Sequence, residues 1–177
     1  MDKKKQLLII ILVGGSAVLL SYVLGPLTRP GAAGLLWGGV PQGLRPFYTV
    51  GMFLGAGGYF AFTYFLLFRL APDTARVAGR FGFGLFNALY AAILLPSALW
   101  MPLTLLAAEQ PSPALLWLVR LNLWTVAATS LGLLWALLAV EPRQPRWAHR
   151  LALVGSILFC QQTVILDSIV WVSFFKI

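Results

Sequence analysis

Five long apolar runs, separated by short polar punctuation, dominate the 177-residue chain. They extend over Gln6–Gly25, Phe47–Leu70, Phe81–Ala107, Ala114–Val140 and Leu151–Phe175. Each can supply the roughly 20 helical residues needed to cross about 30 Å of hydrocarbon. Lipid offers no partner to a backbone N–H or C=O, so a spanning segment must satisfy its own groups, as a helix does. Transmembrane strands would alternate apolar and polar positions over about ten residues, and these runs do not alternate. The pattern predicts an all-α polytopic membrane protein: one domain, residues 1–177, built as a bundle of five transmembrane helices.

The punctuation is uneven. Three connections are short, but Pro26 to Pro46 is a Gly/Pro-rich stretch of about twenty residues holding Trp37, and loops of that length tend to be functional or disordered. Residues 26–46 are expected to lie over one end of the bundle as a lid, or to float at the interface anchored by Trp37. The first run follows Lys3-Lys4-Lys5, as a signal peptide would. Its apolar stretch is longer than the usual 7–15 residues, and no small-x-small site ends it. A retained helix is the expectation.

Composition sharpens the class. The chain is 60% hydrophobic and 10% charged, against about 25% charged in soluble domains. Its net charge of +8 would suggest nucleic acid in a soluble protein. Here the basic residues sit at the ends of apolar runs, as topology signals and lipid-headgroup contacts do. No nucleic-acid partner is expected; membrane lipids are. With the N-terminus inside, Lys3, Lys4, Lys5, Arg69, Arg76, Arg80, Arg143, Arg146 and Arg150 are inner, while Arg29, Arg45 and Lys176 are outer. That bias puts the N-terminus in the cytoplasm and the C-terminus outside, and a bacterial inner membrane is the expected location.

The polar residues inside the runs carry the chemistry. An acid near mid-membrane costs roughly 2.5–3.5 kcal/mol on insertion scales, so Asp167 needs a partner. Arg120 in the fourth run and Asp167 in the fifth both fall roughly 10 Å below the same surface at 1.5 Å per residue. Three readings stand open: an Arg120–Asp167 clamp joining two helices, the same pair lining a ligand pocket, or Arg120 snorkelling alone to headgroups with Asp167 partnered elsewhere. Cys160, Thr163, Asp167 and Trp171 share a helical face by spacing; Gln161 and Gln162 add amides. Asn122, Thr125, Thr129 and Ser130 add donors on the fourth run. In the third, Pro96 interrupts the backbone ladder, and Trp100 one turn on supplies an aromatic wall. Gly51 and Gly55, followed by Gly57 and Gly58, form a surface that lets helices approach closely, suited to internal packing or to a homodimer.

What is missing also counts. There is one cysteine, Cys160, and one histidine, His149, which excludes a disulfide framework and bis-His haem ligation within one chain. No paired carboxylates, Ser-His-Asp set, metal-ligand cluster or phosphate loop appears. Neither an enzyme nor a bound cofactor or metal is expected.

In the third run, Tyr90, Leu94, Trp100 and Pro102 fall at the spacing of a Y-x-x-Q-L-x-L-N-x-x-W-x-P motif, with Ile93 at the Gln position and Ser97 at the Asn position. In the fifth, Leu166-Asp167-Ser168-Ile169-Val170-Trp171 matches L-N-x-x-[VI]-W with Asp for Asn. Gly55-Ala56-Gly57-Gly58-Tyr59 matches a small-residue run ending in G-Y. Through these residues the chain, over 37–171, resembles the TspO/MBR family of tryptophan-rich sensory and translocator proteins, five-helix proteins with a long first loop. That family's first-loop W-x-P-P motif has only Trp37 and Pro41 as counterparts here. The resemblance implies a pocket inside the bundle for tetrapyrroles, sterol-like or other flat apolar molecules, walled by Trp100 and Ser97 and faced by Thr163 and Asp167.

The functional expectation is a protein that binds, and so could move or sense, a hydrophobic, partly anionic small molecule. Trp100, Tyr59, Tyr90, Trp37 and Trp171 would supply aromatic surface. Ser97, Asn122, Thr163 and Asp167 would supply polar contacts, and Arg120 would meet a carboxylate. The alternative is a non-catalytic accessory or scaffold subunit of a larger membrane complex, whose glycine faces would bind partner helices.

Overall fold

A computed structural model describes residues 2–29 and 31–176; Met1, Pro30 and Ile177, the two chain ends and one position of the first loop, lie outside the described residues. Among the described residues, five helices are long and apolar enough to cross a membrane: Lys3–Thr28, Gln42–Arg69, Gly84–Glu109, Pro113–Ala139 and Arg146–Phe174. The chain is a multi-pass helical membrane protein. The helices coincide with the five apolar runs and differ mainly at their ends. The first continues through Pro26 to Thr28. The second admits Pro46 in its first turn, where a missing N–H leaves no bond unmade. The long first connection is therefore shorter than its proline-bounded stretch, and it carries a short helix, Ala32–Leu36, and a 3₁₀ turn, Gln42–Leu44.

The helices neighbour one another in the order first, third, fourth, fifth, second. The closest contact lies between the second and fifth, and small residues make it. Tyr48, Gly51, Gly55, Gly58 and Phe62 recur at intervals of three and four along the buried stripe of the second helix. The fifth answers with Ala148, Ala152, Gly155 and Ser156. At Gly58 the two backbones touch: a Cβ there would run into the Gly155 carbonyl, and one on Gly155 would lie 2.6 Å from the Gly58 carbonyl oxygen. With no hydrophobic drive between helices in lipid, such close approach is what packing can use. The Gly51–Gly55–Gly58 stripe is thus filled from within the chain, by the fifth helix.

The first helix behaves differently. Leu7 and Gly25 are its buried positions, and it lies along the third helix, where Gly14 and Gly25 seat Leu94 and Met101. It meets the second helix chiefly at Phe65–Arg69, which leaves the space between first and second helices open further along.

Two further features tie the ends. Strands Arg76–Val77 and Val140–Glu141 pair antiparallel, Arg76 with Glu141 and Val77 with Val140. They join the second-to-third and fourth-to-fifth connections at the end that carries the N-terminus. At the other end Arg29 forms an ion pair with Glu109, linking the first and third helices. The third helix runs unbroken through Pro96 and Pro102. Proline at 96 deprives the Ala92 carbonyl of its helical donor; the Thr129 hydroxyl on the fourth helix lies 3.4 Å from that oxygen and also faces the Thr125 and Val126 carbonyls of its own helix.

Candidate functional site

Inside the bundle, between the first and second helices and backed by the third and fifth, lies a cavity of about 720 Å³. It runs from the level of Ile11 and Tyr59 up to Leu36 and Trp37 in the first loop. Its wall is aliphatic and aromatic. Among the described residues, Asp167 is the one ionisable group other than tyrosine in the cavity's lining, which includes no lysine, arginine or histidine.

Asp167 owes its position to an unusual backbone. After Cys160 the fifth helix leaves α geometry and continues as a π-helix from Gln161 to Trp171. In an α-helix residues five apart are turned about 140° from each other; the i→i+5 ladder brings them one above the other. Gln162 Nε2 therefore donates to Asp167 Oδ1 at 2.8 Å. Gly51 makes room for that amide, since a Cβ there would lie 2.6 Å from both Gln162 Oε1 and Leu166 Cδ1. The acid's partner is a neutral amide on its own helix. π segments inside α-helices are frequent at functional sites, and an ionisable residue within a membrane span marks one by default.

The aromatic wall is assembled from four helices and the loop. Trp100 stands edge-on to Trp171, with centroids 5.6 Å apart, and packs at a tilt on Tyr22, 5.8 Å away. Trp171 stacks on Phe175 at 4.4 Å and donates its Nε1–H to the Leu36 carbonyl at 2.9 Å, so the loop is fastened to the fifth helix. Trp37 meets Tyr48 edge-on, and the Tyr48 hydroxyl donates to the Leu166 carbonyl at 2.6 Å. Over Trp37 lies the Arg45 guanidinium, 5.2 Å from the ring centroid, with its Nε buried and without a partner among the described residues. Arg45 thus stacks on Trp37, a wall residue at the cavity's loop end, without itself lining the cavity. Below, Tyr59 packs with Phe62, Tyr90 and Phe159.

No family model, curated protein or solved structure matches this chain. The site is therefore read from its own residues.

Trp37, Tyr59, Ser97, Trp100, Thr163, Asp167 and Trp171 come together around this cavity. Ser97 and Thr163 turn their hydroxyls back to the carbonyls of Ile93 and Phe159, so they line the wall without offering a free donor. Tyr90, Asn122 and Arg120 do not line it. Tyr90 is buried behind Tyr59 and shares a hydrogen bond of 2.8 Å with Thr63, linking the second and third helices. Asn122 donates to the Pro96 carbonyl at 2.9 Å and joins the fourth helix to the third.

Of the three arrangements open to Arg120 and Asp167, the one found has the two partnered apart. Among the described residues Arg120 forms no ion pair with Asp167; its guanidinium lies over Trp117 on its own helix, 5.2 Å from the ring centroid. The buried stripe of the fourth helix runs through Val119, Leu123, Val126, Ser130 and Leu137. At 3.6 residues per turn, Arg120 is about a quarter turn off that stripe. Depth along a helix does not fix azimuth. Cys160 likewise leaves the shared face, because the π segment that begins after it breaks the 3.6-residue period; Phe159 lines the cavity in its place.

Sequence reasoning passed over Tyr22 and Tyr48, which line the cavity, and Arg45, which stacks on its Trp37. A hydroxyl-bearing aromatic within an aliphatic run is a usable signal for Tyr22. Arg45 could not be singled out before the loop's path was known.

Proposed function

We propose that this protein binds a hydrophobic, flat small molecule in the cavity between its first, second, third and fifth helices. The observation that carries the reading is a single one: a cavity of about 720 Å³, walled by Tyr22, Trp37, Trp100 and Trp171, that holds one carboxylate. Apolar walls with a few fixed polar groups are how ligand pockets are commonly built. The ligand's hydrogen-bond donor faces Asp167, whose remaining oxygen is free of partners among the described residues. Where the ligand carries a carboxylate, that group lies toward the loop and meets Arg45 rather than Arg120. A tetrapyrrole has this division, with ring N–H donors and acidic arms, and a sterol-like molecule has the apolar body with one hydroxyl. The resemblance to the TspO/MBR proteins supports the same reading, since Ser97, Trp100, Thr163, Asp167 and Trp171 all line the cavity. The inside bias of the basic residues supports a cytoplasmic N-terminus with the loop and C-terminus outside; in that orientation, in a bacterial inner membrane, the ligand is handled in the outer half of the bilayer.

The test is tryptophan fluorescence of the purified protein titrated with protoporphyrin IX. Saturable quenching that Trp100→Phe, Asp167→Asn and Arg45→Gln each weaken, and that Arg120→Gln leaves alone, is the expected result. Linear quenching indifferent to all four variants would mean partitioning into detergent, and the reading would fall.

A further inference from the structure

A second cavity, of about 900 Å³, opens at the opposite end of the molecule, beside the paired strands. Arg76, Arg143, Arg146 and Arg150 line it, with Glu141 as the one acid among its walls. These arginines come from three parts of the chain. The pairing of Arg76–Val77 with Val140–Glu141 brings Arg76 to the fourth-to-fifth connection, and Arg146 and Arg150 are neighbours on one face of the fifth helix. Among the described residues none of the four reaches a carboxylate within ion-pair distance.

Two of the guanidiniums are held in place by backbone carbonyls. Arg76 Nη1 donates to Ala75 at 2.9 Å; Arg143 Nη2 donates to Leu138 at 2.8 Å. His149 lines the same cavity although it is only 6% exposed. Its Nε2 lies 2.8 Å from the Leu137 carbonyl oxygen. A carbonyl can only accept, so Nε2 carries the hydrogen and the neutral ring's Nδ1 is an acceptor, unpartnered among the described residues. The fifth helix begins here with Pro145 as its cap and no side-chain cap, so its first N–H groups add partial positive charge.

Topology alone asks for basic residues near this membrane surface, but not for four of them converging on one cavity with an imidazole at its wall. Like charges gathered this way repel until an anion joins them. Arginine's planar fork suits phosphate oxygens in pairs, and His149 Nδ1 can accept from a P–OH. We propose that this cavity is a binding site for a phosphate group, presented by a lipid headgroup or by a free phosphate.

The experiment uses the full chain in nanodiscs of phosphatidylcholine. One arm titrates inorganic phosphate at constant ionic strength and follows thermal unfolding. The other replaces part of the lipid with phosphatidic acid, without free phosphate, and counts retained lipid by native mass spectrometry. Binding that saturates at one phosphate group per chain is expected. The double variant R146Q/R150Q, whose side chains are exposed and make no hydrogen bond among the described residues, should weaken it by roughly tenfold or more. The controls K4Q and R80Q, at the same end but off the cavity, should leave it unchanged. The arm that responds identifies the source. Absence of saturable binding in both arms, or equal loss in the controls, would overturn the proposal and leave a diffuse basic surface.

Discussion

Gln162 Nε2 lies 2.8 Å from Asp167 Oδ1, five residues apart on a helix that has changed its period to make the contact. This pairing satisfies half of an intramembrane carboxylate from within its own helix and leaves the other half facing the cavity wall. The acid is thus partnered apart from Arg120, one of the three arrangements that their similar depth left open.

Gln162→Leu leaves the carboxylate without its one side-chain donor, and an unsatisfied buried polar group costs about 1–3 kcal/mol. The double variant with Asp167→Leu should recover part of that loss, a coupling of at least ~0.5 kcal/mol. Arg120→Ala and Asp167→Leu share no contact and should add within about 0.5 kcal/mol. Unfolding in detergent by two independent probes would measure both cycles. Strong coupling of Arg120 to Asp167 would restore the clamp.

The contact of Gly58 with Gly155 makes a second prediction. Gly58→Ala drives a methyl into the Gly155 carbonyl, where the neighbour is backbone and cannot swing aside. A loss of roughly 1–3 kcal/mol or more is expected, as for other overpacked sites. Gly57 has nothing within 4 Å of its would-be Cβ, and Gly57→Ala should stay within about 0.5 kcal/mol. Melting temperatures of the two variants side by side decide it; equal values would mean the helices can separate there freely.

Trp171→Phe keeps a ring against Phe175 and removes the donor to the Leu36 carbonyl. A hydrogen bond's net contribution of about 0.5–1.5 kcal/mol corresponds to roughly two- to tenfold faster amide exchange in the residues around Leu36. Hydrogen–deuterium exchange with mass spectrometry would read this on the loop peptide. Unchanged exchange would show that Trp37 and Arg45 alone hold the loop.

The sequence by itself determined the fold class, the number of spanning helices and their approximate bounds. The reason is that hydrocarbon imposes a fixed thickness and forbids unpaired backbone groups, so length and apolarity are enough. It also flagged Trp100, Asp167 and Trp171, because polar and bulky aromatic residues within such runs are conspicuous one at a time. What it could not supply was rotation. Arg120 and Asp167 share a depth, yet the packing of the fourth helix turns Arg120 away, and a π segment invisible to a 3.6-residue count turns Gln162 toward the acid. Partner choice was equally hidden: a glycine stripe reads the same whether a second chain or the chain's own fifth helix fills it. Tertiary structure decided these matters, because azimuth and neighbour order follow from how all five helices fit together, and no single run contains that information.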